Sequence, residues 1–351
     1  MNAPQALQPQ SVSALVAETL STPPAAIPAF QSLIEGHKAF QILRSALSLG
    51  LFEHLDAHGP QPRPEIAQAL GLRGAHLSAW LQALCDIDCL QSTPDNQYAL
   101  NPQARSLLLR DSSWYIGEYL DGLVQPHGRW ARLDDFMHEA RHEPLVPLTT
   151  QRIPALQHPL RADAWALADW LAAHRAGGPI DHLLCCDASQ GLLAARLILT
   201  LQAKDALVRV PEAALACTRD NLAWFGVADR CRVDVDGPLP SAGADTPWDM
   251  AVLFHSQYPR RRALNEDLAA LAGQMAPGGL VCSAHWFCAP ACAPAEGGLG
   301  QMDQAILTDS HPLCHVEKFC ERLEEAGLIQ AHQETLQGRY GPTLLHCAVR
   351  P

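Results

Sequence analysis

Basic side chains are scarce in this chain. There are 25 Lys and Arg against 37 Asp and Glu, a formal net charge of -12. That balance argues against nonspecific nucleic-acid binding, which needs Lys/Arg patches that release phosphate counterions. Long apolar runs are missing too. None approaches the ~18–20 residues of a membrane span, so no membrane partner is expected. Residues 1–30 contain no Lys or Arg and so lack the charged start of a secretory signal. Residues 1–29 read as a flexible Pro/Gln/Ala-rich tail, and the expected location is the cytoplasm. Cysteine is not scarce. In a cytosolic setting the 12 cysteines read as buried thiols or ligands rather than disulfides. With 351 residues, 48% of them hydrophobic, the chain is long enough for two domains with cores of their own.

Helical periodicity starts near Phe30. "AFQSLIEGHKAFQILRSALSLGLFEHLDAHG" carries apolar residues at Phe40, Leu43, Leu47, Leu51 and Leu55. "RPEIAQALGL" is a short helix, and "RGAHLSAWLQALCDIDCL" another with Leu77, Leu81 and Leu84 on one face. "LQSTPDNQYAL" reads as a hairpin turning at Pro94-Asp95-Asn96. Helices followed by a hairpin make residues 30–110 a winged helix-turn-helix. Residues 33–110 hold six basic and seven acidic side chains, and the would-be recognition helix, 76–89, has no Lys or Arg. A helix facing phosphates is not built this way. The winged helix is expected to serve packing or dimerisation, and a DNA-binding regulator is the weakest reading.

Residues 111–178 form a helical region whose aromatics, Trp114, Tyr115, Tyr119, Trp130 and Phe136, either line a pocket or pack helices. From 179 to 351 strands and helices alternate: "DHLLCCDA", "ALVRVPEA", "CRVDVDG", "WDMAVLFHS", "LVCSAHWF" and "GPTLLHCAVRP" read as strands, with helical segments between them. The helix before "LVCSAHWF" is expected to stop at Pro277-Gly278-Gly279. Repeated strand–helix units imply an α/β fold with a doubly wound, Rossmann-like sheet, in which ligands bind beyond the carboxyl ends of the strands. That rim carries Asp187, Ser189, Gly191, Arg209, Asp236 and His255.

Glycine is missing where such a sheet most needs it. The turn after the first strand runs "LLCCDASQGLL", and only Gly191 is a glycine. A glycine-rich turn lets the backbone approach a ligand and aim its amides at it.

Taken together, "FQILRSALSLGLFEHL", "YALNPQARSLLL", "NLAWFGVADRCRV", "LAALAGQMAPGGLV" and "HVEKFCERLEEAGL" resemble the plant-type small-molecule O-methyltransferases and their bacterial antibiotic- and pigment-tailoring relatives. The resemblance covers the chain from about Leu33 onward. It implies a winged-helix dimerisation domain, a methyltransferase sheet of Rossmann type, S-adenosylmethionine as cofactor, a homodimer and a small-molecule acceptor from secondary metabolism. The family's strand-one loop, Asp-x-Gly-Gly-Gly-x-Gly, falls on Cys185 to Gly191 and meets three substitutions among its four glycines. Its strand-two acid, which holds the ribose hydroxyls, falls on Arg209, a donor-only side chain. Gly-Asp after strand three is here Asp236-Gly237. Asp187 or Asp236 is a candidate substitute for the lost acid, and Ser189 and Gln190 for the lost amides. Arg209 also suits an anion such as a carboxylate or phosphate. The family's catalytic histidine falls by spacing on Ser256. His255, one residue earlier, is either the general base that deprotonates the acceptor or an ordinary rim histidine.

A second group of residues gathers on the same rim: His285, Cys288 and Cys292 in "AHWFCAPACAP", and His311, Cys314 and His315 in "SHPLCH". These are ligand types for zinc, copper or iron, at spacings outside the standard zinc patterns. Two functions follow as expectations. One is an S-adenosylmethionine-dependent methyltransferase, O-methylating a small aromatic or other secondary-metabolite acceptor. The other is a repurposed member of the fold that binds a metal or anionic ligand through the His/Cys rim.

Overall fold

The computed structural model describes residues 26–72, 76–112, 114–126, 128–138, 158–174, 180–238, 246–288, 297–308, 312–313 and 318–351. The chain divides into two compact units, Met1–Ser112 and Ser113–Pro351. The helices described between 111 and 178 fall in the second unit.

In the first unit the long helical pattern is two helices, Ile27–Ser48 and Leu51–His58. Gly50 separates them with φ of 72°, a left-handed conformation that only glycine adopts without strain. Helices Arg63–Ala69 and Leu77–Asp86 follow. Their apolar faces, with Phe52, Leu55, Ile66, Leu81 and Leu84 all buried, make one small core. The expected hairpin forms from β2 (Leu90–Ser92) and β3 (Gln97–Leu100), with Leu90 opposite Leu100 and Asn96 at positive φ in the turn. A strand not read from the sequence, β1 (Gln61–Pro62), pairs with the far edge of β3 and completes a wing of order β1-β3-β2.

The second unit is built on a seven-stranded sheet of order β6-β5-β4-β7-β8-β10-β9. Its strands are β4 (His182–Asp187), β5 (Asp205–Val210), β6 (Cys231–Val235), β7 (Trp248–Phe254), β8 (Met275–His285), β9 (Ile329–Gly338) and β10 (Gly341–Val349). The first five are mutually parallel; β10 runs antiparallel to β8 and β9. β4 and β7 are nearly continuous apolar runs. Leu183, Leu184, Cys185 and Cys186 are fully buried, as a strand covered on both faces requires. Helices Arg161–His174 and Leu192–Leu201 pack against each other.

One expectation is corrected, and two further elements were not read from the sequence. The helix Leu264–Ala272 ends before Pro277-Gly278-Gly279, which lies inside β8. Those residues are accommodated in an irregularity between the pairs Trp248↔Met275 and Met250↔Leu280. The last strand is half of a hairpin, because β9 precedes it. A helix at Gly298–Thr308 was not anticipated. Among the described residues no helix is long and apolar enough to cross a membrane.

Candidate functional site

Strands β4, β5 and β6 progress to one side of the sheet, while β7 and β8 lie on the other. Such a switch point opens a crevice at the carboxyl ends of the strands. Here those ends bring Asp187 (β4), Arg209 (β5), Asp236 (beyond β6) and His255 (beyond β7) to the wall of one cavity of about 80 Å³. Leu160, Pro259 and Leu307 supply apolar wall, and Ser256, Tyr258 and Thr308 supply hydroxyls. Ser189 and Gly191 are not on this wall.

The loop after β4 satisfies itself. One Asp187 carboxylate oxygen accepts from the Ser189 amide at 2.7 Å and from the Ser189 hydroxyl; the other accepts from the Ala194 amide at 3.1 Å. The Ser189 oxygen in turn accepts from the Leu193 amide at 3.1 Å. These side chains occupy the orphan amides at the start of the helix Leu192–Leu201. Burial pushes the Asp187 carboxyl up, and the hydrogen bonds from Ser189, Ala194 and Leu193 oppose it. Ser189, a candidate replacement for ligand-facing amides, is therefore engaged within the loop. Gly191 serves packing: φ is 85°, and an added Cβ would meet Thr218 Cγ2 at 3.1 Å and Leu222 Cγ at 3.3 Å. Gln190 sits beside it at positive φ, its carbonyl accepting from Asn221 Nδ2 at 2.9 Å.

Arg209 is buried to 8% exposure and donates to Pro238 O at 2.9 Å and Val235 O at 3.1 Å. It pins the segment that follows β6. On that segment one Asp236 oxygen accepts from the Gly237 amide at 2.9 Å. Burial pushes the Asp236 carboxyl up, against that hydrogen bond and the nearby Arg209 and Arg260.

His255 is 4% exposed and holds φ of 49°, its amide bonded to Ala284 O at 3.0 Å. Its Nδ1 lies 2.7 Å from the Tyr258 hydroxyl, which also accepts from the Trp286 amide at 2.8 Å. Its Nε2 is buried and has no protein partner. Burial lowers its pKa to about 3, so the ring is neutral. The neighbouring turn is held by His285, whose Nε2 accepts from the Ser256 amide at 3.2 Å and the Gln257 amide at 3.1 Å. Ser283 Oγ meets the other ring nitrogen at 2.9 Å. Tyr258 escaped the sequence reading because nothing local marks it.

The His/Cys rim is only partly within view. His285 uses its ring lone pair on two amides, which removes it as a metal ligand. Cys288 Sγ lies 3.6 Å from Pro312 O. Cys292, His311, Cys314 and His315 lie outside the described residues. Among the described residues no group of three or more His, Cys, Asp or Glu is arranged to hold a metal. The aromatics between 114 and 136 are not on the cavity wall. The Tyr119 hydroxyl meets that of Tyr340 at 3.3 Å, Trp130 donates to Asp303 at 3.0 Å, and Arg161 stacks on Trp114 at 3.6 Å.

Residues 31–110 match the family model of the O-methyltransferase dimerisation domain. A comparison with curated protein sequences returns no match. Among solved structures, the chain is similar to an O-methyltransferase family protein from Burkholderia thailandensis, with TM-score 0.71, 14% identity, and 93% of this chain and 99% of that one covered. PigF, solved with SAH, has TM-score 0.69, 17% identity and coverage of 93% and 100%. The mitomycin 7-O-methyltransferase MmcR has TM-score 0.65, 17% identity and coverage of 96% and 100%. At such identities the likeness establishes the fold. The chain thus carries an O-methyltransferase dimerisation domain at residues 31–110 and, over more than nine-tenths of its length, the fold of these proteins.

Proposed function

We propose that the chain is a cytoplasmic, homodimeric S-adenosylmethionine-dependent methyltransferase that methylates a hydroxyl of a small aromatic or other secondary-metabolite acceptor. The observation that carries this reading is the cavity at the switch point of a methyltransferase-type sheet, where Arg209, Asp236 and His255 converge. Their chemistry suits the cofactor, although its parts are distributed differently from the family pattern. S-adenosylmethionine bears a carboxylate and a ribose diol. Arg209 is the donor for a carboxylate. Asp236 keeps one oxygen beyond the Gly237 amide for a diol, replacing the acid that Arg209 displaced. Asp187 and Gly191 shape the turn beneath and make no proposed contact through their side chains.

When bound, the cofactor supplies a methyl group on a positively charged sulfur. The chain's part is to hold the acceptor oxygen near His255 and to keep water out with Leu160, Pro259 and Leu307. The first unit supports dimerisation. The helix Ile27–Ser48 leaves Ile27, Phe30, Leu33 and Ile34 exposed, an apolar surface suited to a second copy. With His285 committed to two amides, the metal-binding alternative loses one of its candidate ligands. The test is incubation of the purified protein with S-adenosylmethionine and a panel of phenols and enols. Mass spectrometry should find a methylated product and S-adenosylhomocysteine in equal amounts; cofactor consumption without a methylated acceptor, or none at all, contradicts the reading.

A further inference from the structure

The hydrogen bonds around His255 decide which ring nitrogen carries its proton. Tyr258 is 2% exposed, and its hydroxyl has one proton to give. The Trp286 amide already donates to the hydroxyl oxygen. Two arrangements remain. If Tyr258 donates to Nδ1, the proton of the neutral ring is on Nε2, and Nε2–H is the one group left to find a partner. If instead Nδ1–H donates to Tyr258, both the buried hydroxyl proton and the Nε2 lone pair are left over. A buried polar group without a partner is a penalty, so the first arrangement wins. Burial also keeps the ring neutral and the tyrosine protonated, so neither group reverses the pattern by ionising.

We propose that Tyr258 is a positioning residue that fixes His255, a residue of the cavity wall, with its proton on Nε2, so that an acceptor reaching this buried nitrogen meets a hydrogen-bond donor and is taken as an oxyanion. This rests on the reading of the cavity as the acceptor end of a methyltransferase site, and it narrows the substrate class. The acceptor is an acidic hydroxyl, a phenol or enol that ionises near working pH. It leaves its proton in solvent before it binds, and no base in the protein has to remove one. This replaces the expectation of His255 as a general base with that of a donor to the reacting oxygen.

The other charged groups on the wall are compatible with an anion. Arg209 is the fixed cation. Asp187 turns both oxygens to its own loop. Asp236 has one oxygen on the Gly237 amide and is pushed toward protonation by burial. Asp163 acts on Tyr258 from a distance, in the sense that keeps the phenol protonated.

Two readouts test this on the full chain, and neither needs the cofactor. The first is nitrogen-15 NMR of the histidine rings, with the His255 signal assigned by its loss in His255→Asn. The expected result is a proton on Nε2; a proton on Nδ1 overturns the proposal. The second uses 4-nitrophenol, whose absorbance separates phenol from phenolate. Measured in Arg209→Ala, which removes the fixed cation on the wall, its apparent pKa should fall by about one unit on binding, a tenfold preference for the anion, and adding Tyr258→Phe should abolish most of that shift. An unchanged or raised pKa, or no binding at millimolar probe, contradicts the oxyanion site. Failure of methyl transfer with both readouts as expected would remove the methyltransferase reading and leave the anion pocket standing.

Discussion

Arg209 lies at the end of β5 on the cavity wall, and the chemistry of a single side chain sets what can bind there. A guanidinium donates and never accepts. If it holds the cofactor's carboxylate, Arg209→Ala should weaken S-adenosylhomocysteine by about 1.5–3 kcal/mol, the worth of hydrogen bonds to charged groups. The same substitution should leave 5′-methylthioadenosine, which lacks the amino-acid end, nearly unaffected. Equal losses for both ligands would show that Arg209 acts only through the main-chain carbonyls of Val235 and Pro238 that it bonds. Asp187 tells the opposite story. Its carboxylate is spent on Ser189 and Ala194, so Asp187→Ala should cost about 2–3 kcal/mol of stability in urea titration, as a lost cap plus orphaned buried amides. A change confined to ligand affinity would refute that structural role. Arg209 and Asp187 were both visible in the sequence as departures from a pattern. Their roles were not, because which atoms a side chain bonds is settled by the fold around it. Tyr258 was not visible at all, since its partners, His255 and the Trp286 amide, meet only when β7 and β8 pair.

At the scale of elements, positions where the backbone turns left-handed matter most. Gly50 and Gly191 both have positive φ, yet an added Cβ finds open space at Gly50 and a tight contact with Thr218 at Gly191. Gly50→Ala should therefore cost about 1–2 kcal/mol, the backbone term alone, and Gly191→Ala clearly more. Urea midpoints of the two variants decide this, and equal losses would mean that the contact at Gly191 relaxes freely. β4 and β7 were readable as strands because their apolar runs need burial on both faces. β9 was not, because an edge strand carrying "AHQETLQ" shows no apolar alternation. The Pro-Gly-Gly in β8 read as a helix stop for the local reason that proline and glycine break helices. Only pairing with β7 reveals it as a strand irregularity.

At the scale of the whole molecule, four histidines buried among the described residues make stability depend on pH. Burial lowers His158 and His255 to about 3 and His346 to about 4, and holds His285 well below its ordinary value. In the unfolded chain each titrates near 6.5. The unfolded state thus binds more protons below that pH, and stability falls as pH falls. The expected result is a urea midpoint nearly flat from pH 8 to 7 that drops on going to pH 5. The slope is at most about 1.4 kcal/mol per pH unit for each histidine. The raised carboxyls of Asp163, Asp187 and Asp236 oppose this as pH falls through their folded-state values. A midpoint that rises between pH 7 and 5 would contradict neutral burial of these rings.

Under the proposed function, Arg209 and Asp236 grip the cofactor beside a loop that keeps one glycine and bonds to itself. The deciding measurement is calorimetric titration of the purified protein with S-adenosylmethionine and S-adenosylhomocysteine. The expected result is micromolar binding, one ligand per chain, weakened by Asp236→Asn as well as by Arg209→Ala. No heat of binding at millimolar ligand would contradict it.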